Sequence, residues 1–144
     1  LMKYVLIVSH GILAKGIHSV LDMMAGKNRN DILSTSLIDG MSVSTFSEKL
    51  EELVSNIKKN DEIILLGDII GGSPLTTALN VLSRKGFLNN TTAFGGVNVT
   101  LALNAVLMKD TLNKNELKQM MLMESKESIQ ELQLDTSVSD DEDI

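Results

Sequence analysis

The chain has 144 residues, of which 43% are hydrophobic and 22% charged, a profile that suits one soluble domain with a sizeable core and excludes wholesale disorder. It has no cysteine, so disulfides, thiolate metal sites and a cysteine nucleophile are excluded. Aromatics at 3%, no tryptophan and a formal net charge of −6 argue against a nucleic-acid binder.

The first element is the continuous apolar run Tyr4 to Val8, which suits a strand covered on both faces, as in a parallel sheet. It is too short to span a bilayer and lacks a signal-peptide layout, so a cytoplasmic protein is expected. Leu13, Ile17, Val20, Leu21 and Met24 then fall on one face of a helix that Gly26 and Asn28 can end. His18 lies beside that face and is expected on the surface. Ile32 to Leu37 is a weaker strand, diluted by Ser34, Thr35 and Ser36. Phe46, Leu50, Leu53, Val54 and Ile57 mark a second helix, with Ser44 as its N-cap.

Glu62 to Gly67 is the second strong strand. Asp68-Ile69-Ile70 and Gly71-Gly72-Ser73-Pro74 follow, with the chain's one proline where a helix begins. Leu75, Ala78, Leu79 and Leu82 form the buried face of that helix, and Gly86 ends it. Asn90 to Phe94 is a fourth strand, and Gly95-Gly96 turns the chain into a helix near 97–109. Asn113 or Asn115 caps a last helix, about 116–133, carrying Met120, Met121 and Met123 as core or interface filler.

Residues 135–144 hold five acids, Asp135, Asp140, Asp141, Glu142 and Asp143, leaving 13 basic against 14 acidic residues in 1–134. The expected organisation is therefore one nearly neutral domain, 1–134, and a solvated, disordered acidic tail, 135–144. The alternation predicts a three-layer α/β domain, mainly parallel, with helices on both faces and right-handed crossovers.

Ligands of open α/β sheets bind past the carboxyl ends of the strands, where the strand order switches. With the order 2-1-3-4, the first and third strands are neighbours there, and His10 and Asp68 face each other. A carboxylate on one ring nitrogen fixes the tautomer of a histidine and frees the other nitrogen as a nucleophile. Helix N-termini after both strands, the close approach allowed by Gly71 and Gly72, and the Ser73 hydroxyl suit a phosphate. Each signal alone has a plain reading: a polar loop histidine, an aspartate capping a turn, a tight turn before a helix. Their convergence at one sheet edge favours function. There is no P-loop, no GxGxxG and no GxSxG elbow, and two histidines eight residues apart without clustered carboxylates make a poor metal site. No cofactor and no metal are expected.

The stretches Ile7-Val8-Ser9-His10-Gly11, Gly67-Asp68-Ile69-Ile70-Gly71-Gly72-Ser73-Pro74 and Gly95-Gly96-Val97-Asn98 resemble the IIA component of the mannose-family sugar phosphotransferase system, in order and spacing over most of residues 2–133. The resemblance implies that His10 accepts a phosphoryl group at Nε2 from the carrier protein HPr and passes it to a IIB component of a membrane sugar permease, with which the protein associates peripherally. It implies that Asp68 orients His10, that Ser9, Gly72 and Ser73 lie against the phosphate, and that the protein is a homodimer exchanging an edge strand, antiparallel to the rest. Val99-Thr100 stand where relatives often carry Leu-Pro. The three motifs contain no Arg or Lys, and Lys15 is the nearest base. Two other readings remain at this level. One is a related subunit serving a dihydroxyacetone kinase. The other is a receiver domain phosphorylated on Asp68, which would need carboxylates for Mg²⁺ where Ser9-His10 stand. A flavin binder is disfavoured by the scarcity of aromatics.

Overall fold

A computed structural model describes residues 1–135. Its strands are β1 Lys3–His10, β2 Ile32–Leu37, β3 Glu62–Gly67 and β4 Thr91–Phe94. The helices are α1 Leu13–Ala25, α2 Val43–Leu53, α3 Ser73–Arg84, α4 Val99–Met108 and α5 Lys114–Glu127, with a 3₁₀ turn Leu88–Asn90 before β4. All strand pairs are parallel, in the order β2-β1-β3-β4. The predicted order and class hold. No antiparallel strand stands beside β4 among the described residues, and nearly all of the expected acidic tail, 136–144, lies outside them.

Strand alternation divides the core into two layers. Val5, Ile7, Ile64 and Leu66 face Ile17 and Leu21 of α1, Leu101 and Ala105 of α4, and Met121 of α5. Leu6, Val8, Ile63 and Leu65 face Phe46 and Leu50 of α2 and Leu75, Ala78 and Leu82 of α3. A strand apolar at successive positions can serve both layers, which explains the unbroken runs in β1 and β3.

Several boundaries differ from expectation for local reasons. Ser42, not Ser44, caps α2, accepting from the Thr45 N–H at 3.0 Å. Asn98 accepts from the Leu101 N–H at 2.8 Å, so α4 begins at Val99. Asn113 and Glu116 form a reciprocal capping box for α5. That helix ends at Glu127, short of the expected 133, and Ile129, Leu132 and Leu134 beyond it are largely exposed. Met24 is exposed and Ala14 takes its place in the buried stripe of α1. Met121 is core, whereas Met123 is exposed. Ser34, Thr35 and Ser36 are buried despite their polarity. His18 is half-buried rather than on the surface, with Nδ1 at 2.6 Å from the Ser34 hydroxyl.

A charge cluster ties the opposite end of the sheet. Lys109, 3% exposed, places Nζ at 2.8 Å from both Asp31 Oδ2 and Asp110 Oδ2. Arg29 donates twice to the Asp31 carboxylate, at 3.0 and 2.8 Å. The hydrogen bonds from Arg29, then from Lys109, hold the Asp31 carboxyl far below the usual range against the opposing effect of burial. Its stabilising contribution is present above the unfolded carboxyl value of about 3.9 and is lost as pH falls through the lower folded value. We expect Asp31→Asn to cost roughly 3 kcal/mol in urea unfolding at pH 7. The gap to the native chain should narrow only below the ordinary carboxyl range.

Candidate functional site at the β1–β3 switch point

α1 leaves β1 on one face of the sheet and α3 leaves β3 on the other, which opens a cleft at the ends of these adjacent strands. The register pairs Val8 with Gly67, so β3 stops while β1 runs on to His10. The N–H groups of Val5 and Gly11 donate towards β2, to Asp31 O at 2.8 Å and Leu37 O at 2.9 Å. By two-residue alternation the His10 N–H points the other way, where β3 supplies no further backbone acceptor. The Asp68 side chain fills that place. Its Oδ2 accepts from the His10 N–H at 2.9 Å and lies 2.9 Å from His10 Nδ1. Its Oδ1 accepts from the Ile69 N–H at 2.9 Å.

The electrostatics follow from this wiring. Burial pushes the Asp68 carboxyl up, but the hydrogen bonds from the His10 backbone, the His10 ring and Ile69 outweigh it and hold the group below its ordinary value. The carboxylate accepts the proton on Nδ1, so the Nε2 lone pair is free. The imidazole is 45% exposed, against 12% for the aspartate side chain, so the ring meets solvent while the carboxylate that orients it is sheltered.

The remaining expected residues divide. Gly72 lies against the ring: a Cβ there would stand 3.0 Å from His10 Cε1 and 3.2 Å from the Ile69 carbonyl oxygen. Ser73 opens α3 and is exposed, its N–H among the first-turn groups that lack helical partners. Ser9 is not in the cleft. Alternation turns it inward, it is fully buried, and its hydroxyl accepts from the Ala14 N–H at 2.7 Å, serving α1 where Ile12 has no capping side chain. Lys15 is also turned away, donating to the Ser34 carbonyl at 2.9 Å.

Sequence reasoning missed how the third motif joins the site. The Gly96 N–H donates to the Asp68 carbonyl and the Val97 N–H to the Gly67 carbonyl, both at 3.0 Å. The paired glycines after β4 were the visible signal. Val99-Thr100 do not disturb the turn, because Asn98 supplies the helix cap.

An open parallel sheet with an oriented histidine between two helix N-termini at its switch point is an α/β site able to receive an anion. The model of the family described as the PTS system fructose IIA component matches residues 4–130, and the chain belongs to this family. It therefore serves phosphoryl relay in a sugar phosphotransferase system. It is similar to the PTS system fructose-specific EIIA component of Bacillus subtilis (strain 168), 23% identical over 129 residues that cover 90% of this chain and 86% of the relative. The phosphotransferase system component EIIA from Streptococcus agalactiae has a TM-score of 0.75 at 27% identity, covering 90% of this chain and 97% of that one. The PTS IIA protein associated with the fucose utilization operon from Streptococcus pneumoniae has a TM-score of 0.75 at 25% identity, covering 91% and 93%. The family assignment sides with a phosphotransferase IIA component against the Asp68-receiver reading.

Gly72 has φ −73° and ψ 158°, which alanine tolerates, so a substitution there tests contact alone. Gly72→Ala is expected to displace the His10 ring and change its ¹H and ¹⁵N resonances, with amide shifts confined to the neighbourhood of His10 and Ile69.

Proposed function

We propose that His10 carries the phosphoryl group, received from phospho-HPr and passed to a histidine of a IIB component of a sugar permease. The observation that carries this reading is the 2.9 Å contact between Asp68 Oδ2 and His10 Nδ1. The Nε2 lone pair forms a bond to phosphorus as the bond to the donor's nitrogen breaks and that nitrogen regains its electron pair. Asp68 keeps the proton on Nδ1 throughout and offsets the positive charge that grows on the ring. The return step towards IIB uses the same geometry in reverse.

First-turn N–H groups of α1 and α3, with the Ser73 hydroxyl, serve the phosphoryl oxygens. Gly72 leaves space for the ring, and Ser9 contributes by holding the start of α1. Neutral donors suit a relay, which must release its phosphate as readily as it takes it. Ile12, Ile69 and Ile70 are 74%, 56% and 77% exposed beside this edge, an apolar rim suited to a protein partner. Membrane association is through the permease partner; among the described residues no helix is long and apolar enough to cross a bilayer.

The catalytic unit is residues 1–134, and the protein is a homodimer. The outer side of β4 pairs with no strand among the described residues. Leu132 and Leu134 are exposed at alternate positions, as an added strand requires. Light scattering is expected to give twice the chain mass for the full protein, and the single chain mass after truncation behind Glu127.

Incubation with phosphoenolpyruvate, the general phosphotransferase enzyme and HPr should add one phosphoryl mass, acid-labile and alkali-stable, absent in His10→Ala. An alkali-labile adduct lost in Asp68→Ala and kept in His10→Ala would refute this assignment. Asp68→Ala should fold and slow transfer on the order of a hundredfold; native rates would remove its role.

A further inference from the structure

We propose that Gly95 is a positioning residue for the His10–Asp68 pair, acting through Ile70. The claim rests on the reading of His10 as the phosphoryl acceptor. The loop from Asp68 to Gly72 holds both groups that touch the imidazole from the β3 side: the carboxylate at its start and Gly72 at its end. Core burial does not hold this loop, because Ile69 and Ile70 are exposed. Three backbone hydrogen bonds do, with the bonds of the Asp68 carboxylate to His10 and Ile69, and Gly95 leaves the room that Ile70 occupies in close contact with the turn.

Two of the bonds come from the turn after β4, from Gly96 N–H to Asp68 O and from Val97 N–H to Gly67 O. The third, Gly72 N–H to Ile69 O at 3.1 Å, closes the loop on itself. The close contact lies between Ile70 and Gly95. A Cβ at position 95 would overlap Ile70 Cγ1, and would approach Ile70 Cδ1 to 3.0 Å and the Ile70 backbone nitrogen to 3.1 Å. The overlap with Cγ1, an atom next to the Ile70 backbone, is the conflict that moves the loop, whereas the 3.1 Å approach to the Ile70 nitrogen is relieved by a few tenths of an ångström. Asp68 is two residues away and is bonded through its carbonyl to the same turn.

A displaced carboxylate no longer holds the proton on Nδ1, and the imidazole then divides between its two tautomers. The fraction with a free Nε2 lone pair falls, and transfer slows with it. Gly95 is not among the glycines with positive φ, unlike Gly96 at φ 71°, so alanine at 95 tests the contact and not backbone strain.

The test uses Gly95→Ala, Ile70→Ala and the double variant in the full chain. Two quantities are read: the ¹⁵N shifts of the His10 ring across pH, which report its tautomer, and the rate of phosphoryl transfer from phospho-HPr. Gly95→Ala should lower the Nδ1–H fraction and slow transfer roughly tenfold to a hundredfold. Ile70→Ala should leave the ring shifts native. The double variant should return them to native, because the overlapping atoms are gone. A native tautomer profile in Gly95→Ala, or no restoration in the double variant, overturns the proposal. Should Gly95→Ala fail to fold, recovery of the fold and the native ring shifts by adding Ile70→Ala supports it, and failure to recover overturns it. A native chain phosphorylated elsewhere than His10 would sink the functional reading, while the ring shifts would still decide the positioning claim.

Discussion

Everything at the site depends on β1 and β3 lying side by side and ending at different heights. Val8 pairs with Gly67, β3 stops, and β1 continues to His10 along β2 alone. The His10 backbone N–H is thereby left without a strand partner on its β3 side. Asp68 takes it with the same oxygen that meets Nδ1. One carboxylate thus completes the sheet ladder and sets the tautomer. An aspartate that merely capped a turn would need only its bond to Ile69, so the double contact with His10 goes beyond a turn cap.

The two ends of the sheet use charge differently. At the amino end, Lys109 is buried and must be paired; Asp31 and Asp110 take its ammonium, and Arg29 pairs in turn with Asp31. At the carboxyl end the site offers backbone dipoles, a serine and the Asp68 carboxylate, with Asp39 lining the cleft beside His10. A fixed cation beside His10 would hold a phosphoryl group more firmly, and a relay gains nothing from that. Lys15, the cation nearest in sequence, is committed to the Ser34 carbonyl at the β2 edge.

Much of this was legible in the residues. The unbroken apolar runs of β1 and β3 marked a sheet covered on both faces, and the alternation with helical patterns marked it as parallel. Elements with mixed signals were harder. β2 carries Ser34, Thr35 and Ser36, yet all three are buried, because α1 and α2 cover an edge strand whose hydroxyls find partners such as His18. The end of α5 was overextended because helical periodicity continues past Glu127, where Ile129, Leu132 and Leu134 are largely exposed. Met24 matched the α1 stripe by spacing, but the helix is rotated so that Ala14, Ile17 and Leu21 face the sheet.

Sequence alone marked the candidates: His10 and Asp68 each stand just past a strong strand, and glycine-rich stretches mark the helix starts where an anion is welcome. Local pattern suffices for this, because strand ends and helix starts are set by neighbours in the chain. The tertiary structure decided which of those groups meet. It brought Asp68 onto both nitrogens of the His10 residue that face it, turned Ser9 inward to serve α1, and laid the Gly95-Gly96 turn across the Asp68 loop. These outcomes depend on strand register and on contacts across the chain, 58 residues apart for His10 and Asp68, which no local periodicity encodes.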